Sequence, residues 1–214
     1  MLKAIRNLIL PAVLLGLIPG TLLGQSKTIS LFDGKTLKGW EVVDPADAKY
    51  WKAEDGTIVG GDGVTRIPKN TYLRTVEEFE DFEFRCLFRL SGDESTGMIN
   101  SGIQYRTEDT GTDVVGYQAD IGNGFWGDIY DEHRRGKLVG GDVEALRFLL
   151  KEDGWNSYIV RVKGNFHELY INGIKACEYV EKDPDIPKKG VIAIQLHSGG
   201  AAKIELRNPT ITKL

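Results

Sequence analysis

The pattern that organises this chain is strict alternation of apolar and polar side chains in short runs. From Phe82 to Leu90, the residues Phe82, Phe84, Cys86, Phe88 and Leu90 alternate with Glu83, Arg85, Leu87 and Arg89. Such a period of two predicts a strand with one face in the core and the other mostly wet. Shorter runs repeat it: Trp40–Val43, Trp51–Gly60 around a Glu-Asp-Gly turn, Tyr72–Thr75, Gly97–Arg106, Val114–Ile121, Gly127–Tyr130, Trp155–Lys163, Phe166–Ile171, Ile174–Tyr179, Gly190–Leu196 and Ala202–Leu206. Turn residues separate them, Asn172-Gly173 giving the strongest hairpin signal. His167 stands among charged neighbours in its strand and reads as a surface residue. Helical periodicity is confined to Val143–Lys151. Many short strands with almost no helix predict an all-β fold, an antiparallel β-sandwich or jelly roll.

Against that background the stretch Gly116–Arg135, GYQADIGNGFWGDIYDEHRR, stands out. It is too polar for core and too aromatic for a linker. Alternation places Tyr117, Ala119 and Ile121 on one face of its first strand and Gln118 and Asp120 on the other. Gly122-Asn123-Gly124 turns the chain, and Trp126 follows where an aromatic plane can line a groove wall. A single carboxylate here would read as a solvated outer face; the whole cluster reads as a site. Asn100, Gln104 and Arg106 share one parity of the preceding strand and suit hydrogen bonding to hydroxyls. Arg134 or Arg135 reads as pairing only with neighbouring carboxylates.

Composition narrows the partners. The formal net charge is −4, and the lysines and arginines are scattered rather than clustered, which argues against a nucleic-acid footprint. A basic start, an apolar run from Leu8 to Ile18 and a small-residue exit at Gly24-Gln25-Ser26 describe a secretory signal over residues 1–25. That run is too short to cross a bilayer comfortably. The expectation is export to the periplasm or beyond, with an uncleaved anchor as the alternative because no Ala-x-Ala precedes the exit. Residues 26–214 then form one domain, with no membrane span in the mature chain. Cys86 and Cys177 both lie in apolar strand-like runs; export permits a disulfide between them, and two buried free thiols fit equally well. No phosphate-cradling glycine loop or internal repeat is visible.

Taken in order, LFDGKTLKGW, WKAEDGTIVGG, FEDFEFRCLFRL, NSGIQYR, GYQADIG, WNSYIVRVKGNFHELYINGIKACEY and GVIAIQLHSGGAAKIELRNPTI resemble the 3-keto-disaccharide hydrolase family from about Ile29 to the C-terminus. The family is similar in fold to concanavalin A-like lectins and glucanases. The resemblance implies a jelly roll binding carbohydrate on its concave face, and cleavage of glycosides already oxidised to a ketone at sugar carbon 3. The family's commoner Tyr-Glu-x-Gln strand stands here as Tyr117-Gln118-Ala119-Asp120, with carboxylate and amide exchanged. His197 matches the family's histidine after the penultimate strand. The resemblance thus implies Asp120, His197 and Glu132 as acid-base groups, with His133 a competitor. It implies Asn100, Gln104, Arg106 and Gln118 as hydroxyl binders, and Trp126 and Tyr130 as stacking groups. A divalent metal ion on Asp120, Glu132 and His197 would stabilise an enediolate, although no spacing demands it. A non-catalytic carbohydrate-binding module is the alternative function.

Overall fold

The computed structural model describes residues 27–214; the expected signal segment lies outside them. In chain order the elements are β1 (Thr28–Ser30), β2 (Trp40–Val42), β3 (Trp51–Glu54), β4 (Thr57–Gly61), β5 (Thr71–Thr75), β6 (Phe82–Asp93), β7 (Asn100–Asp109), β8 (Val114–Gly122), β9 (Ile129–Glu132), β10 (Gly136–Val139), α1 (Val143–Leu146), β11 (Asn156–Lys163), β12 (Phe166–Ile171), β13 (Ile174–Val180), β14 (Val191–Leu196) and β15 (Ala201–Lys213). They form two antiparallel sheets. One runs β13-β12-β11-β6-β15-β4-β3, with β1 added on β15; the other runs β10-β9-β8-β7-β14-β5-β2.

The core lies between the sheets and follows the alternation. Phe82, Phe84, Cys86 and Phe88 of β6 are buried, while Arg85 and Leu87 point outward. Burying each such phenylalanine contributes about 1.5–3 kcal/mol. From the facing sheet β8 supplies Tyr117, Ala119 and Ile121, β7 supplies Ile103 and Tyr105, and β14 supplies Ile192, Ile194 and Leu196. This parity leaves Gln118 and Asp120 on the outer face of the second sheet. Cys86 and Cys177 are both free and buried, and burial pushes the Cys177 thiol up to about 12.

Three expectations are corrected. His167 is fully buried, because the parity it shares with Leu169 and Ile171 carries it inward despite its charged neighbours. Its Nδ1 lies 3.2 Å from the Tyr105 hydroxyl, its ring meets Tyr117 edge-on at 4.6 Å, and burial lowers its pKa to about 3. The helical stretch shortens to the single turn α1, capped by Asp142 accepting from the Ala145 amide at 3.0 Å. The strand expected from Gly127 begins at Ile129, because the Phe125 carbonyl takes the Asp128 amide at 3.0 Å and extends the turn.

Candidate active site

Register builds the site. Gly102 of β7 stands opposite Asp120 of β8, Gln104 opposite Gln118, and Gln118 opposite Tyr130 of β9. Gly102 leaves room for the Gln118 side chain to fold across it: a Cβ at that position would stand 2.5 Å from two Gln118 carbons. Gln118 is thereby placed between two partners. Gln104 Nε2 donates to Gln118 Oε1, and Gln118 Nε2 donates to Asp120 Oδ1. Both donors point toward Asp120, so the chain of amides polarises in favour of its carboxylate form.

Asp120 is 3% exposed at the floor of a cavity of about 230 Å³ lined by Met98, Asn100, Gln118, Asp120, Phe125, Tyr130, Glu132 and His197. Burial raises the Asp120 carboxyl to about 8 against the hydrogen bond from Gln118, and the Asp128 and Glu132 carboxylates push the same way. Glu132 is also raised by burial, with the nearby His133 and His197 pulling it back. His197, half-buried beyond the end of β14, holds Nδ1 2.6 Å from the Ser198 carbonyl oxygen. A carbonyl only accepts, so Nδ1 carries a hydrogen, and in the neutral tautomer the lone pair lies on Nε2. The pocket therefore combines an acid that holds its proton at neutral pH, a raised carboxyl and an imidazole with a free lone pair. Such a set suits general acid-base chemistry.

The structure brings Asp120, His197, Glu132, Asn100, Gln118 and Tyr130 to this one pocket and leaves four other expected site residues off its walls. Gln104 is fully buried and reaches the pocket only through Gln118. His133 sits at its border, with Nε2 3.5 Å from Glu132 and 3.1 Å from Asp113. Arg106 is turned away: a bulge shifts the β7–β8 register between Tyr105 and Glu108, and Arg106 adopts φ +47° there. Its guanidinium instead bonds the Glu80 carbonyl (2.8 Å), the Gly164 carbonyl (2.7 Å) and Asp81 (2.9 Å). Trp126 packs toward the core, its ring 6.2 Å from Phe88, and lines a neighbouring cavity. Phe125 takes the wall position instead, a choice no periodicity within a turn could have revealed. Met98 could have been found, since it shares the parity of Asn100.

Size alone does not mark the site. A larger cavity of about 530 Å³ is lined by Arg74, Arg106 and Lys189. Those charges are already paired, Arg74 with Asp109 (2.5 Å) and Glu41 (2.8 Å), and Lys189 with Glu78 (3.1 Å). Arg134 and Arg135 likewise spend their charge on Asp131, and Arg135 also on Glu181. Among the described residues no group of three or more His, Cys, Asp or Glu side chains is placed to hold a metal ion, and no helix is long and apolar enough to cross a membrane.

The chain is an antiparallel jelly-roll sandwich with a compact pocket of polar and ionisable side chains on one outer face. It belongs to the 3-keto-disaccharide hydrolase family, whose 3-keto-alpha-glucoside-1,2-lyase-like domain matches residues 27–212. Among solved structures it is similar to a candidate glycosyl hydrolase from Parabacteroides distasonis, at 21% identity and TM-score 0.63, covering 87% of this chain and 94% of that one. It is also similar to the carbohydrate-binding module CBM66 from Bacillus subtilis, at 10% identity and TM-score 0.58, covering 82% and 96%. The Ca2+- and Man3GlcNAc-bound exoplasmic/lumenal domain of VIP36 aligns at 10% identity and TM-score 0.61, covering 89% of each chain. At these identities the likeness is one of fold. No curated protein matches the chain by sequence.

Proposed function

We propose that the protein cleaves 3-keto-glycosides by acid-base elimination in the Asp120 pocket. The observation that carries this reading is the buried Asp120 carboxyl, raised to about 8 and facing Glu132 and His197 across one small cavity. A ketone at carbon 3 acidifies the proton on carbon 2. His197 Nε2 or the Glu132 carboxylate takes that proton, and its bonding electrons form the carbon 1–carbon 2 double bond. The glycosidic oxygen leaves carbon 1 with its own electron pair and takes the Asp120 proton. The amides of Asn100 and Gln118 face the ring hydroxyls and the charge that grows on the carbon 3 oxygen. The cavity is smaller than pockets that hold drug-sized ligands, which favours one sugar ring. Export through the N-terminal segment belongs to the same proposal and places the enzyme where glycosides arrive from outside.

The test is release of aglycone from 3-keto-glucosides by wild type, Asp120→Asn and His197→Ala, each with and without a chelator. Loss of about a hundredfold or more in either variant is expected for removal of an acid-base group. Saturable glycan binding by a folded wild type with no turnover on any such substrate would refute catalysis and make the protein a carbohydrate-binding module.

A further inference from the structure

The outer face of the second sheet does not remain open beyond Asp120. Crossing the sheet from Asp120 over Gly102, the next side chains in register are Gln195 of β14 and Tyr72 of β5, and these are 0% and 1% exposed. Gln104, opposite Ala193, is equally buried. The tip of the β7–β8 hairpin lies over the Tyr72 and Ala193 end of this row. After the bulge at Arg106 the hairpin curls back across the sheet, so that Val114 packs in a small apolar cluster with Val43, Tyr72 and Ala193.

The covered floor is polar and incompletely bonded. Gln195 Nε2 lies 3.4 Å from the Tyr72 hydroxyl, and Gln104 Nε2 donates to Gln118. The amide oxygens Gln104 Oε1 and Gln195 Oε1 are both buried with no hydrogen-bond partner among the described residues. Buried acceptors are nearly always satisfied in a folded protein, so two orphans on one patch require an explanation. The covering tip is lightly held. Its turn bonds are internal, Thr110 N–H to the Asp113 carbonyl at 2.9 Å and Gly111 N–H to Asp109 Oδ1 at 2.7 Å. Beyond Val114, its side-chain ties to the body are Asp109 with Arg74 (2.5 Å) and Asp113 with His133 (3.1 Å). Two polar side-chain contacts of this kind, neither fully buried, hold a loop only weakly.

We propose that Asp109–Val114 is a lid over a second sugar subsite whose floor is Gln104, Gln195 and Tyr72, and that this subsite takes the unoxidised pyranose ring of a 3-keto-disaccharide. The proposal rests on the reading that the Asp120 pocket takes the oxidised ring. Gln118 joins the two floors, being bonded to Gln104 on one side and Asp120 on the other. Hydroxyls of the second ring donate to the two orphaned amide oxygens once the tip swings away, and the Tyr72 ring offers an apolar surface beside them.

The test is calorimetric binding by the Asp120→Asn protein, which under the proposed mechanism holds ligand without turning it over. The ligands are methyl 3-keto-glucosides and α- and β-linked 3-keto-disaccharides of glucose. The disaccharide of one linkage is expected to bind at least tenfold tighter than the methyl glycoside, and adding Gln195→Leu to reduce that advantage to about twofold or less. Affinity for the methyl glycoside and the melting temperature should hold or rise, since leucine removes an unpaired polar group without touching the first pocket. Adding Asp109→Ala instead, which frees the tip from Arg74, is expected to speed disaccharide association several-fold.

A disaccharide bound no tighter than the methyl glycoside, no binding of either included, would overturn the subsite. So would an affinity ratio left unchanged in the folded Gln195→Leu protein, whatever its melting temperature, the result expected if Gln195 only packs. Wild-type turnover decides the catalytic reading separately, so failure of one leaves the other standing or falling on its own measurement.

Discussion

Replacing Asp120 by asparagine tests the structure through stability as well as activity. In the folded protein the carboxyl is raised from 3.8 to about 8, chiefly because burial penalises its charged form. Between those two values the folded protein holds a proton that the unfolded chain has released. Stability is therefore greatest below the unfolded value and falls as pH rises toward the folded one. Each pH unit in that window costs the folded state about 1.4 kcal/mol, so by pH 8 the loss reaches about 5 kcal/mol. Against a typical domain stability of about 5–15 kcal/mol this is a large fraction. Asparagine keeps an oxygen to accept from Gln118 Nε2 but has no charge to bury. The assay is urea unfolding of wild type and Asp120→Asn, followed by tryptophan fluorescence, at each unit from pH 5 to pH 9. The difference in unfolding free energy should grow in favour of the variant by about 1.4 kcal/mol per unit up to about pH 8 and then level off. Taking the difference cancels groups that titrate alike in both proteins. A difference independent of pH over that range would refute the argument that burial holds a proton on Asp120.

Gly102→Ala should keep the fold, since the three atoms nearest the added Cβ all belong to the Gln118 side chain, but displace that side chain from Asp120. Turnover should fall about tenfold and its alkaline limb move to higher pH, because the bond that lowers Asp120 is lost; a pH–rate profile checks both. His167→Phe should shift acid unfolding to lower pH, because a histidine held neutral down to about 3 costs stability as pH falls below its unfolded value of 6.5, and a pH titration of circular dichroism reads this. Reductant should leave the melting temperature unchanged, as Cys86 and Cys177 are free in the folded protein.

Much of this was legible from parity alone. The alternation of β6 announces a strand with one buried face, and the alternation of β8 separates Tyr117, Ala119 and Ile121 from Gln118 and Asp120, as observed. Parity was also the better guide where it was overridden: His167 shares the phase of Leu169 and Ile171, and its charged neighbours misdirected the reading. Arg106 is the opposite case. It keeps the phase of Asn100 and Gln104 in the sequence, but the bulge inserts residues that no alternation rule registers, and its side chain leaves the face. The choice between Phe125 and Trp126 falls within a turn, where side-chain direction depends on dihedrals rather than on a period. The placement of the β7–β8 hairpin tip was invisible for a related reason, since the contacts of Val114 with Tyr72 and Val43 join segments far apart in the chain.

The amides that run from Gln104 through Gln118 to Asp120 also give the protein an internal indicator. Their donors all face one ionisable group, so the charge on Asp120 polarises each N–H in turn. In an amide-nitrogen NMR spectrum the Gln118 side-chain resonance should follow the ionisation of Asp120, and that of Gln104 should follow it more weakly. The protonation state of the pocket can then be read in the resting protein, with no substrate present and no reporter attached.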